Sequence, residues 1–500
     1  MWGELLAEAA RAAQGPEPES ARPLVDRLLA ERPEDADALT LAGIVAQRTG
    51  RVEEALDAFR KARDSAPLDA ARHQNLGVAL KNAAAFDEAL EAFATALDLR
   101  PGHAPTLANL GSCLIGTERH QEALEVLQGA PDNADALTNS GVALARLGRH
   151  AEAVGKYRRS LELRPGHLDT ALNLVDALSG SGQRVEAEDL VRQVLRAQPR
   201  NVRAANQLGL LREQAGDFAG AVSAMRAAFD PAAPNHALGV NLVRSMIRAG
   251  EARDALAVCG TLVGTQPSVT TPLALGIAAQ HKLGWSEDQA KLMALDRFVT
   301  VHDIEAAPGF ADLATFNAAL VRELRAHPSL TFEPEGLVTR QGRQSDDLAD
   351  ADTPALKALA QLAREHLAAA HARLAAEPAD HPFLRALPAE WSLTLWGTIL
   401  RPGGEVGPHI HAPNWLSGVY YPEFAEFEAG SEDGAFAIGL LPEELGGGGT
   451  PVIHQPRAGR MILFPSYLWH ATLPFGGERE RISFAFDLVP KGVGRPHKLR

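Results

Sequence analysis

Cysteine is almost absent: two residues in 500, Cys113 and Cys259. One pair cannot make the disulfide framework of a secreted scaffold, and such sparing use fits a reducing compartment. No apolar run approaches the roughly 18–20 residues that would span a bilayer. The opening stretch MWGELLAEAARAAQG has neither a basic region nor a continuous apolar core, so no secretory signal is expected. Positive charge is also short, with 49 Lys and Arg against 63 Asp and Glu, a formal charge of -14. A general nucleic-acid binder needs a basic surface to neutralise phosphates, and this balance argues against one. Cytoplasmic is the default location, with neither nucleic acid nor membrane as a partner.

What is present is an ordinary soluble composition, 46% hydrophobic and 22% charged, able to fill a core. Five hundred residues predict more than one domain.

Proline recurs at Pro33, Pro67, Pro101, Pro131, Pro165 and Pro199, with spacings of 34, 34, 30, 34 and 34. Alanine keeps the same beat from Ala21 through Ala55 and Ala89 to Ala255, and glycine marks Gly43, Gly77, Gly111, Gly141 and Gly209, with Val175 in that slot once. The repeat ending at Pro131 has lost four residues. A period of 34 with Asn75-Leu76-Gly77, then Ala89 and Phe93, then Pro101, resembles the tetratricopeptide repeat. Each unit reads as two amphipathic helices. Small residues let the helices approach, and proline opens the next unit where it costs no helical hydrogen bond. About eight units run to near residue 268, with a degenerate cap from Leu275 to Leu292. Stacked units form a superhelix whose groove binds a protein or peptide. His73, His103, His120, His150 and His167 read as solvated or helix-capping groups.

The 34-residue beat stops near Asp296. ADLATFNAALVRELRAHP and TPALKALAQLAREHLAAAHARLAAE read as helices that support the next domain, and LTFEPEGLVTRQGRQSDDL as a turn-rich stretch with a short strand at its start. After Pro388, WSLTLWGTIL, WLSGVYYP, GAFAIGLL, RMILFPS and RISFAFDLVP read as strands. GPHIHAP, ELGGGGTP and PFGGERE read as loops and turns, with Gly446 to Gly449 a turn or mobile lid. The expected fold is multidomain: an all-α tetratricopeptide solenoid over 1–295, a helical supporting segment over 296–388, and a jelly roll over 389–500.

Residues two apart on a strand face the same way, so His409 and His411 can reach one ion, and a jelly roll can bring His470 beside them. Neutral imidazole suits iron, zinc, copper or nickel. Arg481 and Ser483 share a strand face and could together grip a carboxylate near the metal. Tyr420 and Tyr421 alternate, so only one of them can line the pocket.

HIHAPNWLSGVYY, the run from Gly459 to His470 and ERISFAFD together resemble the Fe(II)- and 2-oxoglutarate-dependent dioxygenases, in particular those preceded by tetratricopeptide repeats. The likeness covers roughly residues 300–500, with the specific motifs in the last hundred. In that family a His-x-Asp/Glu…His triad holds iron, an arginine past the distal histidine binds the far carboxylate of 2-oxoglutarate, and a serine two residues on assists. Arg481 follows His470 by 11 residues and Ser483 follows by two more. The resemblance implies Fe(II) on His409, His411 and His470, the co-substrate on Arg481, Ser483 and Tyr421, O2 as the oxidant, and hydroxylation as the outcome.

One position departs from that pattern. His411 stands where the family has Asp or Glu, which leaves a bound Fe(II) site one unit more positive. A rival reading puts His411 beside the ligands, with a carboxylate from elsewhere or none; Asp487 is a minor candidate for it, and His454 is a lesser candidate ligand. Two other functions stay open: a repeat scaffold whose barrel senses a ligand or metal, and a cupin-like three-histidine enzyme without 2-oxoglutarate, which would not require Arg481 and Ser483.

Overall fold

In a computed structural model, residues 2–424 and 431–499 are described. The chain divides into two compact units, Met1–Pro199 and Arg200–Arg500.

Among the described residues of the first unit, six helix pairs follow one another, from Trp2–Gln14 with Arg22–Glu31 to Leu168–Gly180 with Arg184–Ala197. The proline beat has a local cause. Two residues after Pro33, Pro67 and Pro131 come Asp35, Asp69 and Asn133, and each accepts a hydrogen bond from a backbone N–H of the next helix's first turn. His167, two after Pro165, caps its helix through its ring in the same way. The glycine slot also has a steric cause: a Cβ on Gly77 would lie 2.7 Å from the Phe93 ring, and one on Gly141 would lie 2.5 Å from Tyr157. The four-residue deletion falls on the second helix of its pair, His120–Leu127, which has 8 residues where Phe86–Leu99 has 14. His73 differs from its expected exposure. It is buried, with its ring 2.8 Å from the Pro67 carbonyl.

The second unit continues with helix pairs Val202–Gln214 with Phe218–Arg226 and His236–Arg248 with Ala252–Thr265, then a hairpin of Thr271–Lys282 and Ser286–Met293. No helix among the described residues is long and apolar enough to cross a membrane.

Among its described residues, the rest of the unit is a jelly roll of ten antiparallel strands: β1 (Thr300–Asp303), β2 (Thr331–Phe332), β3 (Thr339–Gln344), β4 (Trp391–His409), β5 (Leu416–Glu423), β6 (Phe436–Leu440), β7 (Gly449–His454), β8 (Arg460–Pro465), β9 (His470–Thr472) and β10 (Arg481–Pro490). Their order is β1-β8-β5-β10-β4-β9-β6-β7, with the β2–β3 hairpin joined to β4. The helices Leu313–Ala326 and Pro354–Ala375 buttress it. Leu324 fills the space a side chain on Gly397 would need, and Tyr420 donates to Asn317 across the same contact at 2.6 Å.

β4 places the site. Its first half pairs with β10, from Trp391 opposite Pro490 to Leu400 opposite Arg481, and its last residues pair with β9. Between them the strand turns at Gly403 and Gly404. Gly403 has φ +80°, and a Cβ on Gly404 would lie 2.7 Å from the Arg401 carbonyl, so no side chain fits the bend. GPHIHAP, expected as a loop, is thus strand as far as His409. Gly446 to Gly449 form a packed turn: all four have positive φ, and a Cβ on Gly446 would meet the Lys282 side chain at 2.5 Å.

Candidate metal centre

The register of β4 and β9 makes His409 the direct partner of His470. His411 lies just past the end of β4, where its backbone N–H donates to Ser466 at 2.9 Å. Ser466 directly follows β8 on the path to His470, so its carbonyl ties both ligand-bearing segments. The three imidazoles meet: one nitrogen from each lies within 4.8 Å of the others, and no carboxylate joins that group among the described residues.

The ring tautomers follow from the partners behind them. His409 Nδ1 lies 2.9 Å from the Gly407 carbonyl, and His470 Nδ1 lies 2.9 Å from the Leu468 carbonyl. A carbonyl only accepts, so both Nδ1 atoms carry the proton. His411 Nδ1 lies 2.8 Å from Asp487 Oδ1, a third acceptor. In the neutral rings of His409 and His470 each Nε2 therefore keeps its lone pair. The Nε2 atoms of His409 and His411 face one another across 3.1 Å, close enough to share one cation. Two nitrogens about 2.1 Å from one ion and at right angles to each other would be about 3 Å apart. Burial, reinforced by the His411 ring, pushes His409 down to about 3, and burial with the two adjacent rings holds His470 well below its ordinary value. Neutral rings with inward lone pairs are what a metal ion requires.

Arg481 faces the same cavity, at 3% exposure. Its guanidinium donates to the Gly434 carbonyl at 3.0 Å, to Ser483 Oγ at 3.2 Å and to the Tyr421 hydroxyl at 3.3 Å. Burial lowers its pKa, against an opposing effect of Tyr421, and an arginine keeps its charge nonetheless. Among the described residues no carboxylate pairs with it. Tyr421 is fully buried, with its ring 5.1 Å from the guanidinium carbon, and it touches the arginine without lining the cavity. The cavity, of about 50 Å³, is walled by Trp396, Val419, Phe436 and Phe464 between the histidines and Arg481.

Asp487 stands behind His411 and does not face the other two rings. Oδ1 takes the ring N–H, and Oδ2 accepts from Asn414 Nδ2 at 2.8 Å. Its partnership with His411 was not readable from sequence, although an Asp on an otherwise apolar strand, in step with Arg481 and Ser483, was a signal that it points inward. His454 lies on β7, outside the three-ring group.

Residues 394–487 match the family model described as "Putative 2OG-Fe(II) oxygenase". Residues 5–70, 83–140 and 144–209 match tetratricopeptide repeat models. The chain is 32% identical over 167 residues to cellulose synthase operon protein C of Pseudomonas fluorescens, a match covering 30% of this chain and 13% of that protein. It thus spans about an eighth of that relative's length. Solved structures similar to part of it include pilF of Pseudomonas aeruginosa (25% identity, TM-score 0.35, 39% of this chain and 91% of that one). Another is a tetratricopeptide repeat protein from Parabacteroides merdae (15% identity, TM-score 0.41, 49% of this chain and 98% of that one). Tetratricopeptide repeats followed by a jelly roll that matches the 2OG-Fe(II) oxygenase family are the architecture of this chain.

Proposed function

We propose that this protein is an Fe(II)- and 2-oxoglutarate-dependent dioxygenase, a hydroxylase whose repeats recruit a protein substrate or partner. The observation that carries the reading is the meeting, in one cavity, of three imidazoles with a buried guanidinium that has no carboxylate partner among the described residues. A buried charge without a counter-charge is costly, and here a ligand carboxylate is the natural one to supply it. His409, His411 and His470 would hold the metal. When bound, iron supplies oxygen activation coupled to conversion of 2-oxoglutarate into succinate and CO2.

The chain's own residues do the rest. Arg481 and Ser483 bind and orient the far carboxylate, while Tyr421 holds the guanidinium from behind. Trp396, Phe436 and Phe464 exclude water from the cavity. Asp487 keeps the His411 proton on Nδ1, away from the metal side.

The test is anaerobic loading with Fe(II), then admission of O2 and 2-oxoglutarate with succinate as the readout. Turnover in the wild type, lost in His470→Ala, supports the enzyme. Succinate at the buffer blank, even with a binding partner of the repeats supplied, favours a scaffold with a metal-sensing barrel.

A further inference from the structure

A row of polar side chains crosses three neighbouring strands of the metal cavity. Gln344 of β3 is the register partner of Thr398 in β4, and Thr398 is the partner of Ser483 in β10. Residues in register share a sheet face, and all three line the cavity, each at 6% exposure or less. Gln344 Nε2 donates to Thr339 Oγ1 at 2.7 Å, while its Oε1 is buried with no partner. A buried amide oxygen left unpaired bears its full desolvation cost.

That orphan has one economical resolution. A hydroxyl can donate or accept, so a half-turn of the amide keeps the pair with Thr339 and swaps which end faces the cavity. With the cavity empty the two orientations differ little. With an acid held by Arg481 they differ greatly: the acid has no hydrogen to give, and the NH2 then finds an acceptor. Two strand spacings put the Cα atoms of Gln344 and Ser483 roughly 10 Å apart, a gap that their side chains and one short diacid can close together.

We propose that Gln344 is a further contact for the acid co-substrate, donating its NH2 to the ligand's carboxylate from β3 while Arg481 and Ser483 grip it from β10. The assignment rests on the 2-oxoglutarate reading above.

The full chain, loaded with Mn(II) in place of iron, is titrated with 2-oxoglutarate by calorimetry without oxygen. Gln344→Leu should bind roughly tenfold more weakly, the scale of one charge-assisted hydrogen bond. Gln344→Glu should bind more weakly still, because two carboxylates then face each other. Gln344→Asn, which shortens the side chain without removing the amide, should fall between the wild type and Gln344→Leu. Mn(II) affinity should be unchanged in all three, which shows that each variant is folded. Wild-type affinity in Gln344→Leu sinks this proposal alone. So does wild-type affinity in Gln344→Glu, since it would mean the residue accepts. A wild-type chain that takes Mn(II) but gives no heat with 2-oxoglutarate sinks the co-substrate reading, and this contact with it.

Discussion

His411 Nδ1 lies 2.8 Å from Asp487 Oδ1, and that bond places a carboxylate directly behind one of the three clustered imidazoles. The negative charge absent from the candidate ligand set is thus present one bond further out. It is fixed there: Asn414 holds the second oxygen at 2.8 Å and in turn is bonded to the backbone of Arg495. A carboxylate behind an imidazole raises the basicity of the far nitrogen and fixes the ring's orientation.

Asp487→Asn should therefore weaken metal binding by about ten- to a hundredfold while leaving the fold in place. A Co(II) titration read by its visible absorption, with a thermal melt as control, checks both parts. Unchanged Co(II) affinity in a folded variant would remove Asp487 from the site.

Arg481 would hold a carboxylate through a planar fork that Ser483 and Tyr421 orient. Arg481→Lys keeps the charge and loses the fork, so 2-oxoglutarate affinity should drop by at least about tenfold, the loss expected when bidentate geometry goes. Arg481→Ala should lose more. Calorimetry on the Mn(II)-loaded chain measures this, with Mn(II) affinity itself expected to stay constant.

The repeats were legible because helix packing writes a period into the chain: Gly77 against Phe93, Gly141 against Tyr157, a cap two residues after most prolines. The three imidazoles and the Arg481–Ser483 pair, which line one cavity, were legible because strand parity and short motifs carry them, whereas Tyr421 stands behind the arginine. β3 was not. Its inward positions are Thr339, Gly342 and Gln344, so the apolar alternation that marks a strand is missing where the wall is polar. β7 hid for a similar reason, as an exposed edge strand starting in a glycine run that reads as a turn. The bond between His411 and Asp487 spans 76 residues and depends on tertiary register, which no local pattern encodes.

Gly77→Ala tests the repeat packing apart from the site. The added methyl would overlap the Phe93 ring, at 2.7 Å, and overpacking of this kind costs about 1–3 kcal/mol. The melting transition of the first unit should fall, Gly77→Ala with Phe93→Leu should recover part of it, and metal affinity should not move.

Trp469 connects the helices of the second unit to the metal centre. It precedes His470, and its indole N–H donates to the Ala274 carbonyl at 2.8 Å, while Tyr467 donates to the Leu292 carbonyl at 2.7 Å. Both carbonyls belong to the hairpin of Thr271–Lys282 and Ser286–Met293. The turn that delivers His470 is therefore anchored at two points on helices that continue the repeat array. Trp469→Phe keeps most of the apolar contact and removes one anchor, at a cost of about 1 kcal/mol. If the anchor positions His470, Co(II) affinity should fall severalfold, and the Trp469→Phe, Tyr467→Phe pair should lose more than either alone. A lower melting temperature with unaltered Co(II) affinity would mean that the hairpin only stabilises the barrel and leaves the imidazole where it was.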